Sequence, residues 1–248
     1  LFRSHIHFIS DLHLGADRPA LTALFERYLA GPARAASRLY ILGDLFEYWA
    51  GDDDLDDPLG ARVASQLAAL ADAGTQVFFM PGNRDFLIGA DFASRARLTL
   101  LPDPTPISLD GQPALLCHGD SLCTDDLAYQ AFRQQVRNPA WQAQFLMQPL
   151  AVRKQIIAGV RMKSEEAKSE KAAAIMDVNA DAVAALLQEH GFPRLIHGHT
   201  HRPAVHSIDV DGHACERWVL ADWQDDQGEV LVWADGQLAR QALCPVLL

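Results

Sequence analysis

Basic residues are scarce in this chain of 248 residues, which has 21 lysines and arginines against 32 aspartates and glutamates and a formal net charge of −11. An acidic chain repels the nucleic-acid backbone, so we expect no nucleic acid as a partner. Lysine occurs only four times, at positions 154, 163, 168 and 171. The stretch 124–173 carries eight basic against five acidic residues, which leaves the rest of the chain strongly acidic. This asymmetry indicates an anionic partner at one place.

Cysteine and long apolar runs are also in short supply. The four cysteines form no CxxC pair and show no regular spacing, which argues against a disulfide framework or a cysteine-based zinc site. We interpret them as small buried hydrophobic residues in a reducing compartment, the cytoplasm. No apolar run approaches ~18 residues, so we expect no membrane-spanning helix. A charged start followed by an apolar core and a cleavage site is absent, so we also expect no signal peptide.

Short apolar runs that end in a glycine or a tight turn are what the chain has instead. Residues 39–42, Leu-Tyr-Ile-Leu, are typical of a buried strand, and they stop at Gly43 and Asp44. In open α/β sheets, ligands bind beyond the carboxyl ends of such strands. Taken alone, Asp44 is more typical of a helix N-cap, so the surrounding pattern has to decide its role.

Four further strand-like runs end in the same way. The side chains that follow them are Asp11 with His13, then Asn83, His118, and His199 with His201. Asp11 and His13 are two residues apart, so they lie on one side of an extended backbone. Asn83 alone would be an ordinary turn residue. Residues 197–201, His-Gly-His-Thr-His, form the most specific local motif, because packing does not account for three imidazoles in five residues.

These seven side chains predict a metal centre. Mixed nitrogen and oxygen ligands suit manganese, iron, zinc or cobalt better than calcium or magnesium. Seven ligands are too many for one structural zinc, but they fit two ions that share the carboxylate of Asp44. Two ions ~3.5–4 Å apart activate water at neutral pH and clamp the oxygens of a phosphoryl displacement.

Strand signals stop between Thr124 and His190. We predict helices there at 125–137, 139–148, 150–162, 166–177 and 180–190. Residues 124–177 are predicted to be an insertion into a core formed by 1–123 and 178–248. Its many apolar residues are typical of an ordinary helical core, but also of an amphipathic cap that holds acyl chains or lies on anionic lipid. A docking platform for a partner protein is a further reading.

The rest of the chain reads as alternating helices, strands and turns. Helices are expected at 19–29, 57–73 and 86–96. Asp-Gly pairs at 110–111, 211–212 and 235–236 predict β-hairpins, and we expect the last two to form a second, mostly antiparallel sheet. The acidic run 52–57 lacks the glycine and terminal glutamate of an EF-hand, so we interpret it as a solvated loop.

Taken in order, the strand-end motifs resemble the calcineurin-like metallophosphoesterases. These motifs are Asp11-Leu12-His13, Gly43-Asp44, Gly82-Asn83, His118 and Gly198-His199-Thr200-His201. The resemblance implies an α/β fold with a two-sheet β-sandwich flanked by helices, which agrees with the predicted strands. The ligands it implies for one ion are Asp11, His13, Asp44 and His201. The ligands it implies for the other are Asp44, Asn83, His118 and His199.

One departure narrows this resemblance. The broad superfamily usually has histidine after the Gly-Asn pair, whereas this chain has Arg84. A guanidinium does not donate a proton in practice, but its fork stabilises charge on phosphoryl oxygens. The chain closely resembles the UDP-2,3-diacylglucosamine pyrophosphohydrolases over nearly its whole length, the insertion included. The motifs that carry this are residues 82–86, 118–126, 175–179 and 197–203.

That family implies hydrolysis of the pyrophosphate bond of UDP-2,3-diacylglucosamine, by attack of activated water on the UMP phosphorus with two Mn²⁺ ions. The implied catalytic residues are Asp44, Asn83, Arg84 and His199. The implied substrate contacts are Asn83, Arg84, Asp126, Ser164, Lys168, Lys171 and His199. We expect a peripheral location on the anionic cytoplasmic face of a Gram-negative inner membrane and no obligate protein partner. The alternatives are a generic two-metal phosphodiesterase or protein phosphatase, and a non-hydrolytic interaction scaffold.

Overall fold

Two β-sheets pack face to face, and helices cover the outer face of each. The computed structural model describes residues 5–54, 57–170 and 177–243, with the backbone alone described for 163–170. One apolar cluster lies between the sheets, and two others lie between a sheet and its helices. The predicted α/β two-sheet sandwich is thereby confirmed.

The first sheet has six strands and carries the amino-terminal half of the chain. Its strands are β1 His5–Ile9, β2 Ala36–Ile41, β3 Gln76–Phe79, β4 Leu98–Leu100, β10 Gly228–Ala234 and β11 Gln237–Leu243. They lie in the order β11–β10–β1–β2–β3–β4. β1 to β4 are parallel, whereas β10 pairs antiparallel with β1 and with β11. Because β1, β2 and β3 run in one direction, the segments that follow them meet at one edge.

The second sheet has five strands. They are β5 Thr105–Leu109, β6 Gln112–Cys117, β7 Arg194–His197, β8 Ala204–Val210 and β9 His213–Val219. Their order is β5–β6–β7–β9–β8, with the three central strands parallel and the two edge strands antiparallel to their neighbours. The carboxyl ends of β6 and β7 therefore share one edge as well.

Seven α-helices complete the described fold. They are α1 Pro19–Ala30, α2 Pro58–Asp72, α3 Ala90–Ala96, α4 Leu127–Val136, α5 Pro139–Leu146, α6 Leu150–Glu170 and α7 Ala180–Glu189. Successive strand residues point to opposite faces. In β2 and just after it, Leu39 and Ile41 accordingly pack with the residues of α1 to α3, while Tyr40 and Leu42 pack against the second sheet. Helix α7 covers the outer face of the second sheet.

Helices α4 to α6 fall within the predicted insertion, and its two ends are tied together. The backbone N–H of Asn179 donates to the carbonyl of Leu122 at 2.8 Å. The side-chain Nδ2 of Asn179 donates to Asp125 Oδ1 at 3.0 Å. Asn138 caps α5 and is followed by Pro139, which separates α5 from α4 as predicted. The division into core and insertion remains a prediction.

Two predictions, one about the helices of the insertion and one about the closing hairpins, were wrong. The helices expected at 150–162 and 166–177 are one continuous helix, α6, up to Glu170, and 171–176 lie outside the described residues. No proline or glycine occurs between residues 161 and 170 to break it. The closing hairpins also differ from expectation. The 211–212 turn joins β8 and β9, but the 235–236 turn joins β10 and β11 in the first sheet.

Within the described residues of the acidic run, 52–54 and 57, the prediction of a solvated loop was wrong. Asp52 accepts hydrogen bonds from the backbone N–H groups of Gly89, Asp91 and Phe92 at 3.0–3.1 Å. These bonds satisfy the open N-terminus of α3, which begins at Ala90 and not at residue 86 as predicted. The next two acidic residues, 53 and 54, form ion pairs with side chains of α6. The run therefore fastens two helices to the core.

The expectations for the cysteines and for membrane-spanning helices agree with the described part of the chain. Cys117, Cys123 and Cys215 are buried free thiols, while Cys244 lies outside the described residues. Across 5–54, 57–170 and 177–243, every helix is too short or too polar to cross a bilayer.

Candidate active site

The predicted ligands gather where the carboxyl ends of five strands meet. Donor atoms of Asp11, His13 and His201 lie within 4.8 Å of one another, and so do those of a second group. The second group is Asp44, His118 and His199. We refer to the two groups together, with Asn83, as the donor cluster. Its members follow β1, β2, β3, β6 and β7, so the parallel strands themselves bring distant segments together.

Asp44 lies between the two groups. Its Oδ2 is 3.8 Å from His13 Nε2, and its Oδ1 is 3.8 Å from His118 Nε2. Asn83 Oδ1 lies 3.0 Å from His118 Nε2 and 2.9 Å from His199 Nδ1. This is the arrangement expected of a carboxylate shared by two ions.

The distances within the first group fit a shared ion. His13 Nε2 and His201 Nε2 are 3.3 Å apart, and His201 Nε2 is 3.5 Å from Asp11 Oδ1. Ligand atoms that sit ~2.1 Å from one ion lie about 3.0–3.4 Å from each other. Asp11 Oδ1 is buried and accepts no hydrogen bond within the described part of the chain. A buried carboxylate oxygen without a donor calls for a cation.

The backbone at the cluster is held in an unusual conformation. Asp11, His13, Asp44, His199 and His201 all have positive φ, between 49° and 68°. This left-handed region costs non-glycine residues about 1 kcal/mol or more each, and it concentrates at functional sites. Five of the seven predicted ligands carry this strain, which favours a functional role over a structural one.

Glycines next to the ligands allow the strand ends to approach each other. A Cβ added to Gly82 would lie 2.2 Å from Asp44 Oδ1, and one added to Gly198 would lie 2.4 Å from Asp11 Oδ2. Both contacts are too short for any side chain. The glycines in the Gly-Asn and Gly-His motifs are thus required by the carboxylates packed against them.

The buried carboxylates of the donor cluster leave it short of positive charge. Burial alone would lower the pKa of His118, but the carboxylates of Asp44, Asp120 and Asp11 raise that pKa to about 9. For Asp11, burial raises the pKa, yet the nearby imidazoles of His201, His118 and His13 bring it below its usual range. Carboxylates that favour protonated imidazoles in this way equally favour divalent cations, whose binding releases those protons. The residues present therefore fit two divalent ions.

Three buried or half-buried acids support the cluster, and the sequence reasoning missed them. Asp85 accepts backbone N–H bonds from Gly82 at 2.8 Å and Leu45 at 2.7 Å, so it joins the loops that carry Asn83 and Asp44. Burial and the charge of Asp44 raise the pKa of Asp85 to about 6. The other two are Glu47 and Asp120. Asp85 comes two residues after Asn83, and that proximity was the one signal that could have revealed it.

Asp120 connects the loop after His118 to helix α4. Its Oδ2 accepts a hydrogen bond from the Tyr129 hydroxyl at 2.6 Å and one from Arg133 Nε at 2.8 Å. The Tyr129 ring stacks on the His199 ring with centroids 5.9 Å apart. The insertion thus contacts the donor cluster directly, through one tyrosine.

A cavity of about 550 Å³ opens from the donor cluster toward the insertion. At one end it is lined by Asn83, Arg84 and His199. At the other it is lined by apolar side chains of α4, α5 and α6, including Phe132, Trp141, Phe145, Ile157 and Val160. A molecule that fills this cavity has a polar end at the cluster and an apolar end beneath the helices.

The predicted substrate contacts fall in three groups. Asn83, Arg84, His199 and Asp126 line the cavity, and Asp126 also caps α4 by accepting the N–H of Tyr129. Ser164 and Lys168 lie on α6, but their side chains are not described. Lys171 lies outside the described residues. The roles of all these residues, and of the predicted ligands, stay predictions.

The family model for calcineurin-like phosphoesterases matches residues 4–203. The chain belongs to this family. It is 64% identical over 219 residues to the UDP-2,3-diacylglucosamine hydrolase of Aromatoleum aromaticum, covering 88% of this chain and 89% of that protein. It is similar to proteins of the same name from Cellvibrio japonicus, at 54% identity over 87% of this chain and 90% of that protein, and from Escherichia coli O81, at 51% over 92% and 95%. This phosphoesterase is a metal-dependent hydrolase.

Proposed function

We propose that this phosphoesterase hydrolyses the pyrophosphate bond of UDP-2,3-diacylglucosamine to UMP and 2,3-diacylglucosamine 1-phosphate, a step of lipid A synthesis. Relatives that match most of the chain at 51–64% identity are named as hydrolases of this compound. The cavity is the observation that carries the proposal. It places a ligand cluster suited to phosphoryl chemistry beside an apolar chamber roofed by helices, as a diphosphate that bears two acyl chains requires.

We propose two divalent ions, Mn²⁺ in the cell, at the donor cluster. One is held by Asp11, His13, Asp44 and His201, and the other by Asp44, Asn83, His118 and His199. When bound, such ions lower the pKa of water to supply a nucleophile and neutralise charge on phosphoryl oxygens. The donor distances and the unpaired Asp11 Oδ1 support this assignment.

Arg84 is proposed to stabilise charge on the diphosphate as the bond breaks. Its guanidinium lines the cavity, and its backbone N–H donates to Asp44 Oδ1 at 2.8 Å. Arginine keeps its proton, so it acts through charge and hydrogen bonds and not as an acid. The departing group is a sugar phosphate, which is stable as an anion and needs no proton to leave. Histidine at position 84 is therefore dispensable for this substrate.

We also propose a peripheral location on the cytoplasmic face of the inner membrane, where the lipid substrate lies. Leu127 and Met147 of the insertion are 78% and 82% exposed, and Met162 is 64% exposed. Exposed apolar side chains on or next to the helices that roof the cavity suit contact with an acyl-chain surface. The cationic stretch around α6 suits anionic headgroups.

Metal analysis combined with turnover of UDP-2,3-diacylglucosamine tests the proposal. The wild-type protein should bind two Mn²⁺ ions and release UMP. Asp44→Ala should abolish turnover and weaken binding at both sites, since the bridge is lost. If Asp44→Ala kept normal turnover with two bound ions, the shared-carboxylate assignment would be wrong.

A comparison of two substrates distinguishes the proposed function from its alternatives. Lys168→Glu and Lys171→Glu should reduce hydrolysis of the lipid substrate far more than that of a small aryl phosphodiester. Equal losses on both substrates would favour a generic phosphodiesterase. Absence of any turnover by protein with both ions bound would favour an interaction scaffold, and a stoichiometric protein bound to the insertion would favour a docking platform.

A further inference from the structure

Glu47 is a half-buried carboxylate that contacts three cationic or imidazole groups from three segments of the chain. It lies in the loop after β2, three residues beyond Asp44. Its Oε2 is 3.1 Å from His13 Nδ1. Its Oε1 is 2.8 Å from Arg161 Nη2 of helix α6 and 3.5 Å from Arg84 Nη1.

The contact with His13 sets which ring nitrogen faces the donor cluster. Nδ1 is turned to Glu47, while Nε2 is turned to Asp44 and His201. A carboxylate that accepts the Nδ1 proton fixes the ring orientation and leaves Nε2 with its lone pair for an ion. In metal sites, such outer carboxylates raise the basicity of the ligand, and their loss typically costs 10–100-fold in metal affinity.

The contact with Arg161 connects the same carboxylate to the helical roof. Arg161 lines the cavity, and its guanidinium also lies over the Tyr48 ring at 5.7 Å. Both partners of Glu47 Oε1 line the cavity, Arg84 from the loop after β3 and Arg161 from helix α6. One carboxylate therefore joins a donor of the cluster, a wall of the core and a wall of the insertion.

We propose that Glu47 is a positioning residue that couples metal binding through His13 to the seating of helix α6 over the cavity. With an ion bound, His13 would present Nε2 to the donor cluster and direct its Nδ1 proton to Glu47, which would hold Glu47 where Arg161 reaches it. Conversely, when α6 packs over the cavity, Arg161 holds the carboxylate of Glu47 in the same position. By reciprocity, each event favours the other. The inference rests on the proposed metal site, and the experiment separates the two.

The test uses Mn²⁺ alone and the full chain. The Mn²⁺ affinity of metal-free protein is measured by calorimetry, and hydrogen exchange of α6 amides is followed with and without Mn²⁺. In the wild type, Mn²⁺ should slow α6 exchange. Glu47→Gln keeps one acceptor oxygen and has no charge, so it cannot accept from His13 Nδ1 and from the two arginines at the same time. It should weaken Mn²⁺ binding 10–100-fold and remove the Mn²⁺-dependent slowing at saturating Mn²⁺.

Two variants act as matched comparisons. Asp54→Asn removes the 2.5 Å ion pair to Lys154, which also joins α6 to the core but touches no member of the donor cluster. It should speed α6 exchange equally with and without Mn²⁺, and change Mn²⁺ affinity less than twofold. Arg161→Gln cuts only the roof contact. It should lose the Mn²⁺-dependent slowing and lower Mn²⁺ affinity only by the factor by which Mn²⁺ slows α6 exchange in the wild type, because the contact between Glu47 and His13 remains.

The outcomes are distinguishable. A wild-type protein that binds no Mn²⁺ would overturn the proposed metal centre itself. A wild type that binds two ions, together with a Glu47→Gln variant of unchanged affinity and unchanged slowing, would overturn the role of Glu47 alone. A Mn²⁺-dependent slowing lost to the same extent in Asp54→Asn would show that any core–roof ion pair suffices, and would equally overturn it.

Discussion

Replacing Asp85 with alanine should lower the free energy of unfolding by about 3 kcal/mol and weaken Mn²⁺ binding together. Asp85 is fully buried and accepts four backbone N–H groups, at 2.7 and 2.8 Å from Leu45 and Gly82 and at 3.3 Å from Asp44 and Phe46. A hydrogen bond to a charged group contributes about 1.5 kcal/mol at the low end, so the two short bonds give roughly 3 kcal/mol.

The two longer bonds add to that loss, and relief from burying a carboxyl group offsets part of it. The freed amides belong to the loops that carry Asp44 and Asn83. Their relaxation should therefore spread the ligands of the proposed bridge and reduce Mn²⁺ affinity by at least tenfold. Urea unfolding of metal-free protein measures the stability, and calorimetric titration with Mn²⁺ measures the affinity.

Asp52→Ala is the matched control. Asp52 also accepts several N–H groups, from Gly89, Asp91, Phe92 and the Trp49 indole, but it serves helix α3 and not the ligand loops. It should lose stability and keep wild-type Mn²⁺ affinity. If Asp85→Ala lost stability yet bound Mn²⁺ as tightly as Asp52→Ala, the carboxylate would be a structural bond acceptor without influence on the metal centre.

Two further predictions concern the roof and the core. Phe145→Leu trims a side chain that stacks on Trp141 in the cavity wall, and it should lower the free energy of unfolding by about 1 kcal/mol. It should also reduce kcat/KM for the lipid substrate at least five times more than for an aryl phosphodiester. The control Phe92→Leu changes the core outside the cavity, so it should lose similar stability and leave the ratio of the two kcat/KM values unchanged. Burial, and then the neighbouring His5, lower the pKa of His7 to about 4 from 6.5. The unfolded chain thus binds this proton below about pH 6.5 and the folded protein only below about 4, so stability falls by roughly 3 kcal/mol as pH drops through that window. In His7→Gln, the urea midpoint should depend less steeply on pH between 6.5 and 4 than in the wild type. The control is His213→Gln, which changes an exposed histidine. If both variants kept the wild-type dependence on pH, the lowered pKa of His7 would not be the cause.

The donor cluster was predictable because its predicted ligands follow five different strands. An apolar run followed by a glycine or a turn and a metal-competent side chain is a local signal that occurs at five strand ends. Because these strands run parallel within each sheet, the five ends meet at one edge of the fold. Asp11 and Asn83 needed no long-range information beyond strand direction. The left-handed backbone at Asp11, Asp44 and His199 was not foreseeable, since it arises from the packing of one strand end against another.

The supporting acids escaped sequence reasoning for a related reason. Asp85 acts on backbone N–H groups about 40 residues away, and Glu47 meets Arg161 across 114 residues. Such contacts leave no periodicity. Asp52 was misjudged because an acidic run is usually solvated, whereas here α3 supplies unpaired amides. The hairpin at 235–236 was assigned to the wrong sheet because alternation of apolar residues is the same whichever sheet receives it.

The bond from Asn179 to Leu122 bears on how a fold of this kind diversifies. The residues that flank the roof helices already sit at the separation of a short turn. A single genetic deletion could remove the whole roof and let the flanks rejoin without disturbing the strands on either side. Acquisition by insertion would be equally abrupt. A lineage would in this way gain or lose the apolar part of the cavity in one step, while the edge that carries the donor cluster stayed in place.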